Sequence, residues 1–199
     1  ELRSAEQVAE ANPEPQVRFL EAYALERLGH FKEALALTAD IPEGQHTPNM
    51  VALRSVLLWR TGKSEEAKAA AEQAVGSGLD WLWAKATANN TLGYLAVTEE
   101  RFLEAASLFK KSASLYLTAG EKNRWVGSLN NYAIALDRVA EAAEKAGKDG
   151  ETLERLQADA EAAYRQTLQA LEQTGENPPL KARILLNIGM LWERRREWD

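Results

Sequence analysis

Residues 92–109 read LGYLAVTEERFLEAASLF, and two helical patterns meet within them. A small residue, Gly93, stands in a first helical pattern that ends in a turn at Glu100. A second helical pattern follows and carries Ala105 and Phe109. Small residues let two helices approach closely, and large residues fill the space between them. The stretch therefore predicts two antiparallel helices joined by a short turn.

The same pattern recurs along the chain, and recurrence at a fixed period is the sequence signature of repeat proteins. The turn at Gly29 is followed 33 residues later by one at Gly62, and the turn at Glu100 comes 38 residues after that. A further copy begins at Arg196. Seven residues before each of these turns stands a small residue: Ala22, Ser55, Gly93 and Gly189.

These residues resemble the tetratricopeptide repeat, in which a helix with a central small residue precedes a Gly-containing turn, an aromatic residue and a helix that opens on Ala. The best copy consists of Leu92-Gly93-Tyr94, Glu100-Arg101-Phe102, Ala105 and Phe109. The resemblance extends from about Pro15 onward. It implies an all-α fold, a right-handed superhelical solenoid of antiparallel helix pairs whose repeats contact mainly their neighbours.

The helical patterns and their breakers predict the boundaries of the elements. Prolines fall between the predicted helices, where the missing N–H is tolerated. We expect one solenoid domain over 1–199, cut from a longer chain, in which 1–12 ends a preceding repeat and 179–199 begins a truncated one. The predicted helices span about 2–11, 15–28, 31–40, 48–61, 64–76, 81–98, 101–118, 123–146, 151–174 and 179–196.

The segment 139–157 departs from the repeat pattern. Tyr132-Ala133 stands in the place of Leu92-Gly93, but the expected turn is replaced by a longer helical stretch. The only strong breaker within it is Gly147-Lys148-Asp149-Gly150. We therefore predict a helical-hairpin extension, which serves either as a contact arm or as a decoration without a function of its own.

Composition and charge exclude several classes of function. The net charge of -6 and the pI of about 5.2 argue against direct nucleic-acid contact and against binding to anionic membranes. Cysteine is absent, which fits a cytoplasmic protein. The two histidines, His30 and His46, fall in predicted turns without oriented partners. We expect no enzyme activity, no catalytic residue, no metal and no cofactor.

Four asparagines in the middle of first helices are the strongest candidates for a binding site. Asn costs roughly half a kcal/mol relative to Ala inside a helix, so its placement there needs a reason. Asn90 and Asn130 occupy equivalent places, and Asn131 and Asn187 also correspond to each other. In peptide-binding members of the family an Asn near this place holds an extended ligand on the concave wall. The alternative is that these amides bridge adjacent helices.

The resemblance thus implies a protein-interaction scaffold that binds a peptide or a partner helix on its concave face. Apolar and cationic contacts on that wall come from Tyr94, Met190 and Arg183. The formation of a homo-oligomer is a further possibility that the sequence leaves open. The alternative hypothesis rests on the longer units, of roughly 40 residues, which resemble those of large bacterial transcription activators. In that case the segment is a sensory or oligomerisation arm that does not touch DNA itself.

Overall fold

The computed structural model describes residues 15–78, 80–175 and 177–196, apart from the side chains of Glu43 and Arg196. The predicted repeat end at 1–12 lies outside the described residues, and so do the last three positions of 179–199.

Within these described ranges the chain is helical throughout and contains no strand. The prediction of an all-α fold is therefore confirmed, and most helix ends lie within one residue of the predicted ends. The helices are α1 (Pro15–Leu28), α2 (Phe31–Ala39), α3 (Pro48–Arg60), α4 (Ser64–Val75), α5 (Leu82–Thr98), α6 (Phe102–Thr118), α7 (Lys122–Lys145), α8 (Gly150–Thr174) and α9 (Pro178–Arg196).

The turns predicted at Gly29, Gly62 and Glu100 share one geometry. At each, a residue with positive φ ends the helix, and the amide that follows it reaches back to a carbonyl of the last turn. Short turns of this kind fold consecutive helices back on each other as antiparallel neighbours. The amide-to-carbonyl distances are 2.9 Å for His30 to Leu25, 2.9 Å for Lys63 to Leu58 and 2.8 Å for Arg101 to Ala96.

The chain divides into two units, residues 1–91 and 92–199, and α5 contributes to both. In the first unit a buried core is formed by Ala22, Ala34, Leu53 and Leu57. Three half-buried aromatic residues pack against that core, with ring centroids 6.0–6.3 Å apart: Phe19, Tyr23 and Trp83.

The second unit shows why the small residue of the repeat is needed. A Cβ placed on Gly93 would stand 2.6 Å from the ring of Phe109, which is 1% exposed. Only glycine therefore lets α5 and α6 approach this closely. A further core joins α7, α8 and α9 and includes Val126, Tyr164 and Ile184.

The segment 139–157 lies in the hairpin of α7 and α8, which are 24 and 25 residues long. Ala140 on α7 and Leu153 and Gln157 on α8 are buried, so the two lengthened ends pack against each other. Whether this hairpin serves as a contact arm stays a prediction. The single right-handed solenoid also stays a prediction, because it depends on how the two units are arranged.

Candidate partner-binding surface

Tyr94 and Asn131 join two first helices of the second unit. The ring of Tyr94 lies edge-on to Phe109, with centroids 5.2 Å apart, and this contact holds its hydroxyl in place. Nδ2 of Asn131 on α7 donates a hydrogen bond of 2.7 Å to that hydroxyl. Both side chains are half-buried. The sequence pattern singled out both residues as candidates for the surface but did not predict that they bond to each other.

Asn187 on α9 also interacts with a tyrosine of a neighbouring helix. Its side-chain amide acts on the hydroxyl of Tyr164 on α8 and is the smallest of the influences on the pKa of that hydroxyl, which it lowers. Tyr164 in turn lies 3.5 Å from Oδ2 of Asp137 on α7 and donates to it. Each of the two corresponding asparagines therefore connects its helix to a tyrosine of a neighbouring helix. This geometry supports the bridging alternative, and direct contact with a partner stays a prediction.

A buried carboxylate lies at the centre of the network around Tyr164. Asp137 is 8% exposed, and the guanidinium of Arg194 on α9 bonds both to it and to Glu141. Burial raises the pKa of the Asp137 carboxyl, and the opposing effect of Arg194 is the smaller one. Burial, followed by the charge of Asp137, also raises the pKa of Tyr164 above its ordinary value, so that its hydroxyl remains a donor at neutral pH.

A second ion-pair group fixes the same end of α9. Arg195 bonds Glu161 of α8 at 2.5 Å, and Arg165 bonds the same carboxylate at 2.8 Å. The hydrogen bond from Arg165 is the main reason that the pKa of Glu161 is lowered. Together with Arg194, these contacts hold α9 against both α7 and α8.

One side of α9 then remains open to solvent. Leu186 is 63% exposed and Met190 is 45% exposed, and Arg183 is exposed on the same side of the helix. These residues follow a spacing of three and four, so they form one stripe that borders Asn187. Among the described residues Arg183 forms no ion pair. The stripe offers apolar area beside an available cation.

Asn90 and Asn130 have different surroundings. Asn130 is 1% exposed, and its Oδ1 finds no hydrogen-bond donor within the described part of the chain, so burial removes it from contact with a partner. Asn90 is half-buried, lies on α5 one turn before Tyr94 and has interactions of its own. Contact between Asn90 and a partner stays a prediction.

The polar network shows what the sequence pattern did not predict. Arg194 follows Asp137 by 57 positions and lies in a run of arginines that also suits a helix C-terminus. No local spacing distinguishes a guanidinium that meets a buried carboxylate from one that faces solvent. In the sequence, the signal for this ion pair is Asp137 itself. It is an acidic residue within an apolar helical pattern, three positions after Ile134.

The described residues contain no group of three or more His, Cys, Asp and Glu side chains able to hold a metal ion. In the same part of the chain, no helix is both long enough and apolar enough to cross a membrane.

No family model matches the chain, and no curated protein does. Among solved structures it is similar to a thermophilic TPR protein of Thermus thermophilus, at 19% identity and a TM-score of 0.41. The match covers 85% of this chain and 96% of that one. The function proposed below therefore rests on the residues of this chain.

Proposed function

We propose that this chain is a protein-interaction scaffold and that its second unit binds a peptide or a partner helix. The proposed surface consists of Tyr94, Asn131, Arg183, Asn187 and Met190, and we add Leu186 to it. The observation that carries the proposal is that α9 exposes Leu186 and Met190 beside the half-buried amide of Asn187. Exposed apolar side chains next to polar groups are typical of interaction sites.

The chemistry of the surface defines the ligand it suits. Met190 and Leu186 offer adaptable apolar area for one or two large side chains of a ligand. Arg183 supplies a planar guanidinium, which favours a carboxylate on the same ligand. Asn131 and Asn187 carry amides that take part in several hydrogen bonds at once and suit a peptide backbone. We therefore expect a ligand that combines apolar and acidic residues.

Rigidity supports the same proposal. Arg194 ties α9 to Asp137 and Glu141 on α7, and Arg195 ties it to Glu161 on α8. A surface that is held in place before binding loses less conformational entropy when the ligand arrives. The buried network therefore acts as the support of the surface and is not itself a contact.

Selection from random peptides tests the proposal and needs no identified partner. The peptides are displayed on phage and selected on the immobilised full chain, and the enriched ones are synthesised and titrated by calorimetry. We expect apolar and acidic peptides, whose affinity falls about tenfold for Met190→Ala and for Arg183→Ala. Gln169→Ala, at an exposed position of α8, is the matched control and leaves the affinity unchanged.

The asparagines are tested separately because they also bridge helices. Asn131→Ala and Asn187→Ala should weaken peptide binding with little loss of helicity. If the affinity is unchanged while the melting temperature falls, the two amides are structural. If no peptide is enriched, or if Met190→Ala and Arg183→Ala bind as the wild type does, the proposed surface is wrong.

The alternative function, an arm of a multidomain bacterial transcription activator, makes the same segment a sensory or oligomerisation element. The length of the repeat units supports it, as does the length of α7 and α8, which have 24 and 25 residues. A helix-turn-helix or a phosphate-loop ATPase encoded in the same reading frame would favour it over a free-standing scaffold.

A further inference from the structure

Helix α9 is apolar on more than one side. Its buried face consists of Ile184, Ile188 and Leu191, which are 0%, 6% and 0% exposed. Other large apolar side chains of the helix stand outside that face: Leu185, Leu186, Met190 and Trp192. The hydrophobic effect is non-directional, so apolar area alone does not decide which side of α9 packs against α7 and α8. A directional interaction is needed to fix the rotation of the helix about its own axis.

The last turn of α9 provides such contacts to both neighbouring helices. The guanidinium of Arg194 bonds Asp137 and Glu141 on α7. The next residue, Arg195, bonds Glu161 on α8 at 2.5 Å. Consecutive residues lie about 100° apart around a helix, so a rotation of α9 by one residue changes both pairings.

Rotation in one direction would bury the proposed peptide surface. The stripe of Arg183, Asn187 and Met190 would take the place of the buried face. In the same rotation Glu193 would take the place of Arg194 beside Asp137. The cation would be lost and a further carboxylate would be added to a site of low dielectric, where like charges repel strongly. Charge therefore opposes this rotation.

Rotation in the other direction keeps an arginine beside Asp137 but disrupts the core. Gly189 would take the place of Ile188, and Trp192 would take the place of Leu191. A cavity and an overpacked position each destabilise a close-packed core. Side-chain shape therefore opposes this second rotation, which leaves the ion pairs to oppose the first.

The ion pairs are suited to selecting a geometry more than to adding stability. The side chains of Arg194, Asp137 and Glu141 are 11–21% exposed, so their charges lose much of their hydration. The cost of that loss offsets most of the attraction, and apolar residues of similar size often replace such a pair without loss of stability. What apolar residues do not replace is the direction of the contact.

We propose that Asp137 and Arg194 are positioning residues, which select the buried face of α9 and so keep the proposed peptide surface open to solvent. Their effect on peptide affinity rests on the proposed function, whereas their effect on the rotation of α9 does not. Neither residue is expected to contact the ligand.

Cysteine labelling tests the rotation directly, because the chain contains no cysteine of its own. A single cysteine replaces the buried Ile188, and its reaction with a thiol reagent is followed under native conditions. The double variant Asp137→Leu, Arg194→Met removes both charges together, so its unfolding free energy should stay close to that of the unaltered pair. Labelling should nevertheless become at least about tenfold faster, because α9 then turns this position toward solvent for part of the time.

Two further variants frame that measurement. Arg165→Met is the matched control, since the bond from Arg165 to Glu161 lies within α8, and it should leave the labelling rate unchanged. Arg194→Lys serves in case the double variant does not fold. It keeps the charge but replaces the guanidinium that joins two carboxylates by one ammonium group, and it should raise the labelling rate about threefold.

Peptide affinity is the second readout. A peptide selected on the wild type should bind the double variant about tenfold more weakly, although neither substituted side chain belongs to the surface. If no peptide is enriched, the proposed function is wrong, and the labelling rates alone decide the role of the ion pair.

Three results would overturn the proposal. A folded double variant whose cysteine reacts no faster shows that apolar contacts fix α9 without help. Labelling that accelerates only as far as a lower unfolding free energy requires shows a purely structural role. Faster labelling together with unchanged affinity for a selected peptide shows that the rotation of α9 does not control the surface.

Discussion

Gly93 on α5 lies under the ring of Phe109 on α6, so closely that a Cβ on Gly93 would stand 2.6 Å from the nearest ring carbon. Gly189 holds the corresponding place on α9, and a Cβ there would meet nothing within 4 Å. The same residue type at the same repeat position therefore has opposite surroundings. This contrast allows one chemical change to be compared at two places.

Gly93→Ala should destabilise the fold, whereas Gly189→Ala should not. At Gly93 the added methyl group forces the buried ring of Phe109 to move, which typically costs about 1–3 kcal/mol in a packed core. At Gly189 alanine only improves helix propensity and should raise stability by up to about 1 kcal/mol. Urea unfolding of the two variants at low protein concentration provides the measurement.

The double variant Gly93→Ala, Phe109→Leu identifies the cause of that loss. A smaller side chain at Phe109 leaves room for the new methyl group, so the two changes together should cost less than their sum. Strict additivity would show that the ring does not limit the approach of α5 and α6.

Glu100 should be a site where a single substitution increases stability. Its φ of 57° lies in the left-handed region, where the corresponding turns have Gly29 at 86° and Gly62 at 82°. A residue with a Cβ is strained there, so Glu100→Gly should raise the free energy of unfolding by about 1 kcal/mol. The reverse change, Gly62→Ala, should lower it by a similar amount, and equal melting temperatures for both variants would contradict the prediction.

Arg194 should be needed for stability mainly because Asp137 is buried. Removing one partner of a buried ion pair leaves the other charge without compensation, and we expect Arg194→Met to cost roughly 3 kcal/mol. Asp137→Asn removes the buried charge instead and should cost much less. In the double variant the loss of unfolding free energy should be smaller than the sum of the losses in the two single variants. A double-mutant cycle by urea unfolding measures this difference.

Asp137 also predicts a dependence on pH. Its pKa in the folded chain is raised above the ordinary value of 3.8, chiefly by burial, so the folded state binds the proton more tightly than the unfolded state does. Protonation of this group therefore favours folding. As pH falls through the raised pKa toward the ordinary one, its contribution to stability rises, and it is lost again as pH increases.

The matched measurement is the difference in unfolding free energy between the wild type and Asp137→Asn over a pH series. The wild type should gain stability relative to the variant as the solution becomes more acidic, and the difference should level off below the ordinary pKa. A difference that is constant with pH, or that changes in the other direction, would show that Arg194 outweighs burial.

The elements were predictable from sequence because their signals are local. Gly29 and Gly62 mark turns by their conformational freedom, and Pro48 opens a helix where its missing N–H does no harm. Glu100 was placed in a turn only by its register with these glycines, and the structure gives it the same positive φ. Repetition thus supplied the information that the residue type itself lacked.

The candidate surface was predictable only in part, because burial depends on contacts between distant residues. Asn130 and Asn131 are adjacent in sequence, yet the first is 1% exposed and the second is half-buried and bonded to Tyr94. A rotation of one residue, about 100° around a helix, separates a core position from a surface position. A pattern of asparagines alone therefore does not show whether Asn130 or Asn131 is turned toward a partner.

Tyr94→Phe should separate the role of the hydrogen bond from that of the ring. The ring contact with Phe109 is retained, but Nδ2 of Asn131 loses its acceptor, which should cost about 1 kcal/mol. If the proposed surface is correct, peptide affinity should also fall, because the hydroxyl of Tyr94 no longer orients the amide of Asn131. Tyr132→Phe is the control: the ring of Tyr132 faces Lys110 at 5.5 Å, and a phenylalanine ring keeps that contact. Equal stability and affinity in the two variants would show that the hydroxyl of Tyr94 does not position Asn131.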